Sequence, residues 1–289
     1  MNHMSYRRRN WRQTVNTFML GLTAICTMMV VAPLVWILAY VVRQGLPALS
    51  LTLLTQLPTP VGVAGGGIAN ALVGSAMTVG LGLLIAAPVG ILAGIYAAMY
   101  PNTVLGTSVR FGTDVISGVP SIVMGIFAYT LIVLPQRHFS ALSGGIVLSF
   151  IMVPTLIRAT EEMIRLVPSS LREGSLALGA AEWRTSFSVI VPAAVNGLVT
   201  GMMLAIARAA GEAAPMLFTA FGNPFMNTDF GQPVATLPHM IFVYAVSPYN
   251  DWHAKAWATA LVLITLVLLL NILARLIVWQ RARVLGSLK

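Results

Sequence analysis

Long apolar runs separated by short polar segments set the pattern of this chain. About twenty consecutive apolar residues cross a bilayer as a helix. Stretches of that kind run over residues 18–42, 70–99, 114–134, 143–159, 195–220 and 256–279. The pattern predicts an all-α integral membrane protein with about six transmembrane helices, built as one membrane domain over residues 1–289. The fourth stretch is the shortest. The first follows Arg7, Arg8, Arg9 and Arg12, like a signal peptide, but is too long for one and lacks a clear cleavage site. It reads as an uncleaved span after a cytosolic tail of residues 1–17.

Charge sharpens this picture. Charged residues make up 9% of the chain, against roughly 25% in soluble domains, which leaves no room for a large soluble catalytic domain. The net charge of +9 raises nucleic-acid binding, but the basic residues form no soluble patch. With the N-terminus inside, Arg7, Arg8, Arg9, Arg12, Arg110, Arg158, Arg165, Arg172, Arg184, Arg281, Arg283 and Lys289 lie on the cytosolic side. Only Arg43, Arg137 and Lys255 lie outside. The positive-inside rule therefore sets an N-in, C-in orientation.

Several spans carry prolines: Pro33, Pro88, Pro120, Pro154 and Pro215. Glycines line them too: Gly80, Gly82, Gly90, Gly94, Gly118, Gly125, Gly144, Gly145, Gly197 and Gly201. Kinks and small residues suit a gated pathway, and they suit ordinary close packing of membrane helices equally well. The outer loops 44–69 and 221–255 are long enough either to dock a partner or to serve as plain connectors. His138, His239 and His253 are scattered over the outer loops and give no metal-ligand spacing; no metal and no cofactor is expected. Cys26 is the single cysteine, so no internal disulfide forms. The chain has no Gly-x4-Gly-Lys-Ser/Thr, so ATP bound by a P-loop must belong to another polypeptide. An intramembrane hydrolase needs a base beside its nucleophile, and Ser117, Ser121 and Ser149 have no histidine in any span.

The long polar interruption richest in charges of both signs is the cytosolic loop 160–194. Ser170-Leu171-Arg172-Glu173 predicts a capping box, Ser170 capping the helix and Glu173 reaching back to its amide. Gly179-Ala180 supplies a left-handed stop. A second helix over 181–191 puts Trp183 and Phe187 on one face, and Pro192 closes it. The loop reads as helix, turn, helix. It is either a stiff connector or a set of knobs for a cytosolic partner.

Glu173-Gly174-Ser175, three residues, Gly179, nine residues, then Val189-Ile190-Val191-Pro192 resembles the EAA loop of permease subunits of type I ABC importers, Glu-Ala-Ala-x3-Gly-x9-Ile-x-Leu-Pro. Gly174 and Ser175 stand where the pattern has alanines. Gly65-Gly66-Gly67-Ile68-Ala69-Asn70-Ala71-Leu72, Pro120-Ser121-Ile122-Val123-Met124-Gly125, Leu204-Ala205-Ile206-Ala207-Arg208-Ala209-Ala210-Gly211-Glu212 and Asn271-Ile272-Leu273-Ala274-Arg275 resemble the PstA permeases of phosphate importers. The resemblance implies a type I importer permease bundle in a bacterial inner membrane. It implies a non-enzymatic transport subunit paired with a PstC-like permease, two PstB-like ATPase subunits and a PstS-like phosphate-binding protein. It also assigns the ATPase-coupling role to the loop with Glu173, Gly174, Ser175, Gly179, Ala180, Glu182, Trp183, Phe187 and Pro192. A permease for sulfate or molybdate is the alternative.

Arg208 and Glu212 lie four apart inside the fifth apolar stretch. Charges in hydrocarbon are costly and mark function. By spacing they lie on one helix face and can pair. That pair is either a structural lock or a substrate path, in which the guanidinium fork receives an oxyanion and Glu212 neutralises it between transits. Asp114 is expected as an N-terminal helix charge.

Overall fold

The computed structural model describes residues 3–63 and 65–286, with side chains from Trp11 to Gln280. The side chains of Arg7, Arg8, Arg9, Arg281 and Arg283, and Lys289 as a whole, lie outside the described residues. In chain order the helices are α1 (His3–Gly45), α2 (Leu51–Thr55), α3 (Ala69–Met99), α4 (Val104–Gly118), α5 (Ser121–Ala128), α6 (Leu134–Gln136), α7 (Ala141–Arg165), α8 (Ser169–Ala177), α9 (Glu182–Thr185), α10 (Val191–Ala210), α11 (Ala214–Thr219), α12 (Leu237–Ala245) and α13 (Asn250–Gly286). A π turn joins α5 to α6 and another, Ser186–Ile190, joins α9 to α10. Among the described residues the only β pairing is one isolated bridge, Phe221 with Val234.

Five helical stretches are long and apolar enough to cross a membrane, and a sixth span counts if the bent pair α4–α5 is taken as one. That pair corrects the expected third span. Val119 is extended ahead of Pro120, whose ring disfavours helix at the preceding residue, and the axis turns by 100° between α4 and α5. The fifth span is corrected too. Its helix starts earlier, at Glu182, and it breaks at 211–213 before α11. Pro33, Pro88 and Pro154, by contrast, sit inside unbroken helices.

The fourth stretch, shortest in the apolar pattern, becomes the centre of the bundle. Its helix α7 has 67% of its apolar window buried, against 6% for α1 and for α13. Glycines let α3 and α7 touch backbone to backbone. A Cβ on Gly90 would lie 2.5 Å from Leu156 Cβ, and one on Gly94 2.6 Å from Thr160 Cβ. Gly197 and Gly201 of α10 meet Met163 and Ala159 of α7 in the same way. For these glycines close packing is the role found, whereas Gly80 and Gly118 face open space. The two broken spans also lean on each other, since a Cβ on Gly125 of α5 would lie 2.8 Å from Pro215 Cα of α11.

The helix α7 continues to Arg165 through charges that read as loop because those charges are paired. Glu161, 4% exposed, accepts hydrogen bonds from Arg110 Nε and from Arg165, each at 2.6 Å. Arg110 also donates to the carbonyls of Ala97 at 2.5 Å and Pro101 at 2.9 Å. Asp114, three turns into α4 and not at its start, bonds Arg158. The cluster ties the inner ends of α3, α4 and α7 together. Glu161→Gln leaves Arg110 and Arg165 without a counter-charge. With these arginines 22% and 51% exposed, the loss is expected at the low end for a broken buried pair, about 3 kcal/mol. Thermal unfolding of the purified protein checks it; an unchanged midpoint would mean the cluster is idle.

Candidate functional site

The polar loop forms helix, turn, helix as expected, but its details differ. The start of α8 is set by Pro168, with no side-chain cap, so the capping box of Ser170 and Glu173 is not made; Glu173 is exposed. The stop is as expected. Gly179 has φ +81°. Its N–H reaches the carbonyl of Leu176 at 2.9 Å, and that of Ala180 reaches Ser175 at 3.2 Å, the paired bonds of a Schellman ending.

Pro192 does not close the second helix. The π turn ahead of it absorbs the missing N–H, and helix runs from α9 directly into α10. The loop is therefore rigidly continuous with a membrane helix. It is also braced from within. Arg172 bonds Glu182 at 3.4 Å, and the Ser175 and Thr185 hydroxyls meet at 2.9 Å. Tyr100, just past α3, donates to Glu182 Oε2 at 2.6 Å, and that hydrogen bond raises the Tyr100 phenol above its ordinary pKa. Outward, the loop shows apolar side chains: Leu178 is 91% exposed, Trp183 68% and Phe187 49%. Large exposed apolar groups on a braced scaffold are a surface a partner could cover.

Arg208 lies in the last turn of α10, and Asn196 is twelve residues below it, roughly 18 Å along the axis. The structure does not form the expected ion pair with Glu212. After Ala210 the helix ends in two tight bonds, Gly211 N–H to Arg208 O at 3.1 Å and Glu212 N–H to Ala209 O at 3.2 Å. Glu212 is thus in a non-helical break, off the helix face that carries Arg208. Arg208 is exposed on the surface of this chain. Four ion pairs form among the described residues, and neither Arg208 nor Glu212 takes part.

Sequence reasoning leaves the outer loops as docking surface or connector and misses the helix and cavity they build. The stretch 221–255 holds α12 and the start of α13. A cavity of about 610 Å³ there is walled by Pro58, Phe221, Phe225, His239, Tyr244 and Trp252. Phe221 holds a left-handed φ of 62° and stacks on Phe139 at 4.4 Å between ring centres. Burial lowers the pKa of His239 and pushes Tyr244 up to about 12. Proline-rich spacing hid this helix. Tyr100 gave no signal at all. The Arg110–Asp114 and Arg158–Glu161–Arg165 stripes, in contrast, could have been matched by their helical spacing.

Residues 90–281 match the family model described as binding-protein-dependent transport system inner membrane component. The chain belongs to this family. Among relatives within this transport family, the phosphate transport system permease protein PstA of Yersinia pestis is 44% identical over 94% of this chain and 92% of its own. That of Haemophilus influenzae is 43% identical over 92% and 94%. A probable PstA of Methanocaldococcus jannaschii is 33% identical over 91% and 93%. The fold is also similar to that of a chain in a solved structure of the MetNI methionine ABC transporter in an inward-facing conformation, with a TM-score of 0.57 at 20% identity, covering 74% of this chain and 94% of that one. Members of this family are inner membrane components of transport systems; accordingly this chain is a multi-pass, non-enzymatic transport subunit.

Proposed function

We propose that this chain is a permease subunit of an ATP-driven phosphate importer and forms half of the translocation path. The observation that carries this reading is the identity of 40–46% to PstA permeases over most of the chain. The exposed, braced loop around Gly179 supports a separate ATPase as the energy source, with Leu178, Trp183 and Phe187 meeting it. In this reading a PstC-like permease supplies the other half of the path, two PstB-like ATPases dock on the cytosolic face and a PstS-like phosphate-binding protein docks on the outer one. Arg208 offers its fork to the anion, and Glu212, held off in the helix break, leaves that fork free to do so.

The test is ATP-dependent uptake of labelled phosphate by the reconstituted four-component system, with unlabelled sulfate or molybdate in excess. Uptake that ignores both competitors is expected. Equal competition by either one would transfer the assignment to another oxyanion.

A further inference from the structure

We infer that the groove between α10 and α13 on the inner side holds an anionic phospholipid, its headgroup phosphate at Arg275 and an acyl chain in the slot above. Two cavities meet there. The lower, about 330 Å³, is lined by Asn196 and Thr200 of α10 and by Asn271, Arg275 and Trp279 of α13. The upper, about 900 Å³, is lined by Leu38, Val42, Leu261, Ile264 and Leu268 among others. Asn271 and Arg275 border both, so a polar end opens directly into an apolar slot.

The depth fits a headgroup. Gly197 and Gly201 meet Met163 and Ala159, which puts the Asn196–Thr200 turn beside the final charged turns of α7. Trp279 lies at the same level, where indoles gather at the membrane interface. The slot from Leu261 to Arg275 is fourteen residues of α13, roughly 21 Å, longer than the roughly 15 Å of one leaflet's hydrocarbon, so it has room for a whole acyl chain before Leu38 and Val42 of α1 close it. The groove exists because α1 holds the bundle mainly at its outer end, where Val41 and Gly45 are buried and Tyr40 meets Trp257 edge-on. Charge selects the occupant. The four ion pairs among the described residues use Arg110, Arg158, Arg165 and Arg172, so among the described residues no carboxylate lies upon the positive charge of Arg275. Basic pockets between helices on the cytoplasmic side take anionic headgroups.

The assembled complex, purified and supplied with equal phosphatidylglycerol and phosphatidylcholine, would be examined by native mass spectrometry. Selective retention of phosphatidylglycerol is expected. Arg275→Gln should lower that retention roughly five- to tenfold, the worth of one basic contact, and Arg275→Lys should restore most of it. Ile264→Trp, which fills the slot, should lower it with Arg275 intact, and Asn196→Leu gives an independent reading if Arg275→Gln fails to assemble. Equal retention of both lipids, or no effect of these variants, overturns the assignment. So does displacement of the lipid by excess inorganic phosphate, which would mark a free-anion site. Crosslinking of Ala274→Cys to the second permease would overturn it in favour of a protein contact.

Discussion

Complexes carrying Arg208→Gln are expected to assemble and hydrolyse ATP, yet to import phosphate roughly 10- to 150-fold more slowly. That range is the loss of one hydrogen bond from a charged group, about 1.5–3 kcal/mol, expressed as a rate. Assembly should survive because Arg208 takes part in none of the ion pairs that tie this chain together. Had it locked to Glu212, glutamine would have cost stability first and transport second. Arg208→Lys keeps the charge but loses the planar fork, so it should fall between the two. Labelled-phosphate uptake beside ATPase rate, on the same preparations, separates these outcomes. Native uptake by the glutamine variant would leave Arg208 with no part in the path.

The fold was legible where apolar length alone decides it. The stretches at 18–42, 70–99 and 256–279 each lie within one of the helices α1, α3 and α13. It was illegible where tertiary partners change what a local signal means. Arg158, Glu161 and Arg165 look like the start of a loop, but Arg110 and Asp114 on α4 turn them into the buried end of a helix. Pro192 looks like a terminator, but a π turn before it lets the helix continue. Arg208 and Glu212 look like a four-residue helical pair, but the helix stops between them at Ala210. The last misreading shows the limit of spacing, which predicts a side-chain pair only while the backbone stays regular. The turn at Gly179 was legible because its conformation depends on its own backbone and on nothing distant.

That independence gives the second large effect. Gly179→Val is expected to leave the membrane bundle intact and to uncouple it from its ATPase. A Cβ at Gly179 would meet nothing within 4 Å, so the whole penalty is conformational. Its φ of +81° costs an L-residue roughly 1–2 kcal/mol, and more when it is β-branched. That lowers the population of the docked loop shape about 5- to 30-fold. Asparagine visits the left-handed region readily, so Gly179→Asn should retain most coupling although it adds the larger polar group. Substrate-stimulated ATP hydrolysis and co-purification of the ATPase report the outcome. If valine and asparagine behave alike, the turn acts through its surface and not its backbone. If both behave as native, Leu178, Trp183 and Phe187 are positioned by the braces at Tyr100, Arg172 and Thr185 alone, and the glycine adds nothing to coupling.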